Sequence, residues 1–142
     1  MRFIITARPD DSKPRTDVQM DDDLFATYMK FNEELQKAGV LLASEGLNPG
    51  APGARIGVSG GQRKVLDGPF AEAKELVGGF WVIEVASLEE AKRWALRAPT
   101  GMGTDDILEI RQLTASEDIP KHFLDLAISV APTWTATFAK KR

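Results

Sequence analysis

The residues of this chain whose types and spacing could do chemistry crowd around one turn. Asp67-Gly68-Pro69-Phe70 is followed closely by Glu72, Lys74 and Glu75. A carboxylate held beside an aromatic ring, half withdrawn from water, moves toward the pKa range useful for proton transfer. In that reading Asp67 is a general base or substrate anchor. Gly68 lets a small molecule come close, and Phe70 keeps water out. Lys74 is placed to neutralise Asp67 or a substrate carboxylate, with Glu72 beside it. Glu45, between an apolar run and Gly46, is the second candidate catalytic carboxylate. Glu109 and Arg111 alternate with Leu108 and Ile110, and an arginine so placed can grip a carboxylate or phosphate bidentately. Asp67 and Glu45 are thus the candidate catalytic residues, and Phe70, Glu72, Lys74, Glu109 and Arg111 the candidate substrate-binding ones.

Each has a structural alternative. An aspartate before Gly-Pro caps a turn by accepting from downstream amides. Glu45 fits a loop salt bridge, and Glu109 with Arg111 fits a cross-strand ion pair at a sheet surface. Glu72, Lys74 and Glu75 fit a solvated charge run, although their place between Phe70 and Leu76 favours at least one folding back onto the turn. His122 lies in an amphipathic tail and reads as a surface residue.

Composition narrows the classes. A chain of 142 residues with 43% hydrophobic and 27% charged residues is ordinary globular material, enough for one domain with a real core. Its net charge of −3 argues against a duplex-binding surface. The absence of cysteine excludes disulfides, iron–sulfur clusters and thiolate zinc. A single histidine excludes a multi-histidine metal site within one chain, so no metal and no cofactor is expected. No run approaches the ~20 apolar residues of a membrane span, and the N-terminus lacks a signal core. A soluble cytoplasmic protein is the expectation.

The elements that must position these residues follow from periodicity. Residues 2–7 read as a strand, and 8–20, with Pro9 and Pro14, as a long loop. Leu24, Tyr28, Phe31 and Leu35 share one helical face, with Asp21, Asp22 and Asp23 at the positive end and Gly39 as the stop. Residues 40–47 read as a short strand interrupted by Ser44-Glu45-Gly46 and running into a loop. Residues 54–59 and 62–66 flank Gly60-Gly61 as a tight hairpin, setting Ile56 opposite Val65. Residues 80–86 alternate Trp81, Ile83 and Val85 against Phe80, Val82 and Glu84. Ser87-Leu88-Glu89-Glu90 opens a second helix that buries Leu88, Ala91, Trp94, Ala95 and Ala98 and stops at Pro99. Residues 106–113 are the last strand. Beyond them Pro120 starts a helix with Phe123, Leu124, Ala127 and Ile128 on one face, and Trp134 has no evident core role.

The order is β–α–β–β–β–β–α–β with a tail: an α+β, ferredoxin-like antiparallel sheet with two helices on one face. The other face, with Phe80 and Val82, is then uncovered, and a two-fold pairing of sheets would cover it.

The stretch Asp67-Gly68-Pro69-Phe70-Ala71-Glu72-Ala73-Lys74-Glu75, with Glu45-Gly46-Leu47, Gly78-Gly79-Phe80 and Glu109-Ile110-Arg111, resembles the DGPF signature of the YCII-related proteins. The resemblance covers residues 1 to about 113. It implies a dimeric α+β barrel with a cleft near the Asp-Gly-Pro-Phe turn, hence a homodimer holding an unknown small molecule. Some relatives are suspected enzymes because a histidine and an aspartate share that cleft. This chain has no histidine before His122, and acid–base work there would fall to carboxylates. DGPF proteins also tend to accompany extracytoplasmic-function sigma factors. Two roles follow: a small-molecule-binding domain or cofactor-independent enzyme, or a non-catalytic accessory module beside such a factor; a purely structural self-association domain fits less well with so many charged groups around one turn. Residues 1–114 would form the domain and 115–142 an extension packed on it, with no nucleic-acid or membrane partner.

Overall fold

The computed structural model describes residues 1–10, 12, 21–48, 53–67, 78–99 and 106–139. Strand β1 (Arg2–Pro9) alternates Phe3 and Ile5, both buried, with Ile4 and Thr6 on the opposite face. It runs further than residues 2–7. Beyond Ala7, β1 pairs only with β6, through Arg8 and Pro9, so no second neighbour needs the amide that Pro9 lacks.

Helix α1 (Asp22–Lys37) is capped by Asp21, whose carboxylate accepts from the Leu24 amide at 2.8 Å. Phe31 and Leu35 are buried, Leu24 and Tyr28 half-buried. Glu33 and Lys37 pair on the wet side at 3.4 Å. Gly39 follows at φ 72°, a left-handed stop that a β-carbon would strain. Strands β2 (Leu41–Gly46), β3 (Ala54–Ser59), β4 (Gln62–Asp67) and β5 (Gly79–Glu84) come next. Gly60 and Gly61 both have positive φ, as a two-residue hairpin turn requires, and Ile56 does pair with Val65.

Ser87 Oγ caps helix α2 (Leu88–Arg97) by accepting from Glu90 N, while the Glu90 carboxylate reaches back to the Ala86 amide at 2.9 Å. Ala91 and Ala95 are buried, and their small size lets the helix lie close on the sheet. Ala98 leaves the helix in an extended conformation because Pro99 follows it. Leu88 is not buried as the pattern suggests. It is 42% exposed at the first turn of the helix, where the face it shares with Ala91 and Ala95 begins. Strand β6 (Asp106–Gln112), a single 3-10 turn (Ser116–Asp118), helix α3 (Lys121–Val130) and helix α4 (Pro132–Ala139) complete the chain. Leu124 and Ala127 of α3 are half-buried, whereas Phe123, Ile128 and Trp134 stay exposed.

Four strands form one sheet in the order β2-β5-β1-β6, every neighbouring pair antiparallel. This is the ferredoxin-like βαββαβ arrangement, with α1 and α2 packed on a single face over Phe3, Ile5, Trp81, Ile83 and Val85. The remaining two strands do not join that sheet. β3 and β4 form a separate two-stranded ribbon. β2 and β5 are direct neighbours, and Leu47 N donates to Gly78 O at 3.0 Å, one step past the strands. The chain that holds the ribbon therefore leaves the sheet at Leu47 and returns to it at Gly78, two points tied together by that hydrogen bond.

Candidate functional site

The helices cover one face of the sheet, so the charged candidates must be read against the other. The register places them in rows. Glu45 on β2 lies opposite Phe80 on β5, Phe80 opposite Thr6 on β1, and Thr6 opposite Glu109 on β6. The next row runs Ala43, Val82, Ile4, Arg111. The alternation holds along β1 and β5, and only β2 breaks it, with a bulge between Leu41 and Ala43: Trp81, Ile83, Phe3 and Ile5 are buried toward the helices, leaving Phe80, Val82, Ile4 and Thr6 half-buried on the open face. Leu108 and Ile110 pack toward the core, so Glu109 and Arg111 belong to the open face, as their alternation implies.

Glu45 is a strand residue rather than a loop residue. Its neighbour Ser44 turns to the helix side, where its hydroxyl reaches Asn32 Oδ1 at 3.1 Å, which leaves Glu45 on the open side. Gly79 allows this close alignment of β2 and β5. A β-carbon there would sit 2.9 Å from the Glu45 carbonyl oxygen and 3.4 Å from Gly46 Cα. The Gly78-Gly79 pair in the sequence thus has a steric reason at its second position.

Glu109 and Arg111 do form an ion pair, at 3.7 Å, but along one strand and not across two. Their cross-strand neighbours are Thr6 and Ile4, which carry no charge. With side chains 47% and 76% exposed, the pair is worth ~1 kcal/mol or less, so Arg111 is available to an anion at little cost. Glu45 and Glu109 share a row but sit on the two edge strands. Three strand spacings separate them, roughly 14 Å, too far to act together on one small group within a protomer.

Asp67 is the last residue of β4, opposite Ala54, so the ribbon carries it away from the four-stranded sheet's own ladder. Phe70, Glu72 and Lys74, together with Gly68 and Pro69, lie outside the described residues. The alternation of β1 could have pointed to two open-face residues not singled out from sequence, Ile4 and Thr6. Arg2 and Glu84 also face each other across β1 and β5, and Arg2 Nη2 donates to the Thr114 carbonyl at 3.1 Å.

The model of the YCII-related domain matches residues 1–115. The chain belongs to the YCII-related domain family. An uncharacterized protein of Rhizobium meliloti is 37% identical over 91 residues, spanning 64% of this chain and 70% of that one. Among solved structures, 5-chloro-2-hydroxyhydroquinone dehydrochlorinase from Burkholderia phenoliruptrix, in complex with 2,5-dihydroxybenzoquinone, is 18% identical with a TM-score of 0.43. That likeness covers 84% of this chain and 100% of the other. In this YCII-related domain the fold assignment rests on its own strand order and helix placement. No helix among the described residues is long and apolar enough to cross a membrane. The segment after residue 115, with α3 and α4, lies beyond the family match.

Proposed function

We propose that this YCII-related domain is a homodimeric small-molecule-binding domain working by carboxylate acid–base chemistry, with Asp67 and Glu45 as the reacting carboxylates. The observation that carries this reading is the row Glu45, Phe80, Thr6, Glu109 on the sheet face opposite α1 and α2, with Arg111 in the next row. An apolar strip of Phe80, Val82, Ile4 and Ala43 beside Glu45, Glu109 and Arg111 suits a small apolar body carrying an acidic group. Arg111 would hold that group bidentately, and a carboxylate at the rim would take or return a proton. Two-fold pairing of the open faces would supply the missing wall and withdraw the carboxylates from water. Phe70, Glu72, Lys74 and Glu109 are proposed as further substrate-binding residues.

The test is a screen of metabolite acids by ligand-detected NMR on wild type and Asp67→Asn. Asparagine still accepts from backbone amides and so keeps a turn cap, but it cannot act as a base. The expected outcome is an unchanged melting temperature with binding or turnover lost. Activity retained in Asp67→Asn removes Asp67 from the chemistry. A wild type that binds none of the acids but co-purifies with a sigma factor overturns the reading.

A further inference from the structure

We infer that Arg8 is a second anion-gripping residue of the open face, and that the molecule held there carries two acidic groups. The inference rests on the small-molecule site proposed above and names the class of molecule that site takes. Phe3 and Ile5 are buried under the helices, so the alternation of β1 sends Arg2, Ile4, Thr6 and Arg8 to the open face. Arg8 is half-buried, yet among the described residues no hydrogen bond or ion pair reaches its guanidinium. Its nitrogens still touch solvent, because no fully buried side-chain nitrogen among the described residues lacks a partner. A guanidinium partly withdrawn from water and still reachable is ready for an incoming anion, whose two oxygens would offset the lost hydration.

The other two arginines of the face already have acids near them. Arg2 stands directly opposite Glu84 and donates to the Thr114 carbonyl at 3.1 Å. Arg111 pairs with Glu109 at 3.7 Å. Arg8 is different: its partner on β6 is Ile107, which carries no charge. A molecule with a single acidic group on Arg111 would leave Arg8 without a counter-charge.

Spacing sets the second acid apart from the first. Arg8 lies four residues along β1 from Ile4, the cross-strand partner of Arg111. At ~3.3 Å per residue and ~4.8 Å between strands, the two backbones are roughly 14 Å apart. Side chains of a strand stand nearly upright on the sheet, so the guanidiniums are separated by a similar distance, too far for one carboxylate to bridge. Hydrogen bonds of ~3 Å at either end leave roughly 8 Å between the acid oxygens, the span of a six-carbon ring with an acid group at each end. The body between them would lie over Thr6, with the Phe80 ring beside it on β5.

Isothermal titration calorimetry with three probes tests this on wild type. Benzoate has one acid group, phthalate two side by side, and terephthalate two at opposite ends of the ring. The expected result is terephthalate bound about tenfold more tightly than either of the others. Phthalate carries the same charge, so the preference reads distance and not charge alone. In Arg8→Met, which keeps the apolar stem, the preference should vanish. Should that variant fail to fold by circular dichroism, Arg8→Lys keeps the charge without the two-pronged grip and should lower the preference several-fold. Terephthalate bound by wild type no better than benzoate or phthalate overturns the two-acid class and leaves the acid-binding site standing. A folded Arg8 variant that keeps the full preference overturns the role of Arg8. Wild type that binds none of the probes, yet binds other acids in the screen above, overturns this inference alone. No acid bound in either experiment overturns the site with it.

Discussion

The Trp81 indole Nε1 donates to Asn32 Oδ1 at 2.8 Å, and the Ser44 hydroxyl reaches the same oxygen at 3.1 Å. One amide oxygen on α1 thereby ties down the two strands β2 and β5, from whose opposite side Glu45 and Phe80 face the open surface. Tyr28 stacks on Trp81 at 6.3 Å between ring centres and Phe31 meets it edge-on at 5.4 Å, so the indole is fixed on both sides.

Replacing Asn32 with leucine keeps the volume and removes the acceptor. Trp81 Nε1 and Ser44 Oγ then lose their partner, at a cost of about 1–3 kcal/mol. Urea unfolding followed by tryptophan emission should show a lower midpoint. A midpoint equal to that of wild type would mean that water replaces the amide at no loss.

Gly79→Ala should destabilise by about 1–3 kcal/mol, because its β-carbon would press on the Glu45 carbonyl at 2.9 Å and one of the two strands must shift. Gly46→Ala is the control, since a β-carbon there meets nothing within 4 Å. Calorimetry should separate the two melting temperatures by several degrees. Equal values would show that β2, an edge strand, moves aside freely.

Val82→Asp places a carboxylate in the middle of the open face, beside Ile4 and Ala43. The protomer core lies on the other side and should stay folded. Pairing of the faces should fail, because an unpaired charge buried there costs several kcal/mol. Light scattering at micromolar concentration should report a monomer, and a dimer of wild-type mass would exclude this face from the interface.

Glu89, in the first turn of α2, has its carboxyl held below the usual carboxylate range, chiefly by the hydrogen bond from Lys92 at 2.7 Å and then by that residue's charge. A folded pKa below the unfolded one gives stability that is present above the unfolded pKa and lost as pH falls through the folded value. Glu89→Gln should therefore remove a small part of the acid loss of stability and leave the melting temperature at neutral pH slightly lower. Parallel pH–stability curves for the two proteins would contradict the assignment.

Much of this architecture is legible along the chain because its causes are local. The face of α1, the Asp21 and Ser87 caps, the left-handed Gly39 and the Gly60-Gly61 turn depend on neighbours a few residues away. The alternation around Trp81 likewise assigns Phe80 and Val82 to an outer face before any pairing is known, because side chains of a strand alternate wherever it sits.

Strand order is a different matter. That β2 and β5 are neighbours, with residues 48–77 lying between them in sequence, follows from long-range pairing that no local pattern encodes. The consequence falls on the site. Glu45 and Glu109 look equivalent in sequence, each a glutamate near apolar strand residues, yet the order β2-β5-β1-β6 puts them on opposite edges of one row. Leu88 differs for a related reason: helical spacing tells which residues share a side, but only packing decides how far along the helix that side meets the core, and it is buried at Ala91 and Ala95 but not at Leu88. Residue types and spacing settled most of the elements, though not helix α4, and which way their side chains face. The tertiary structure decided which of those faces meet, because that choice is made by hydrogen bonds and packing between segments far apart in the chain.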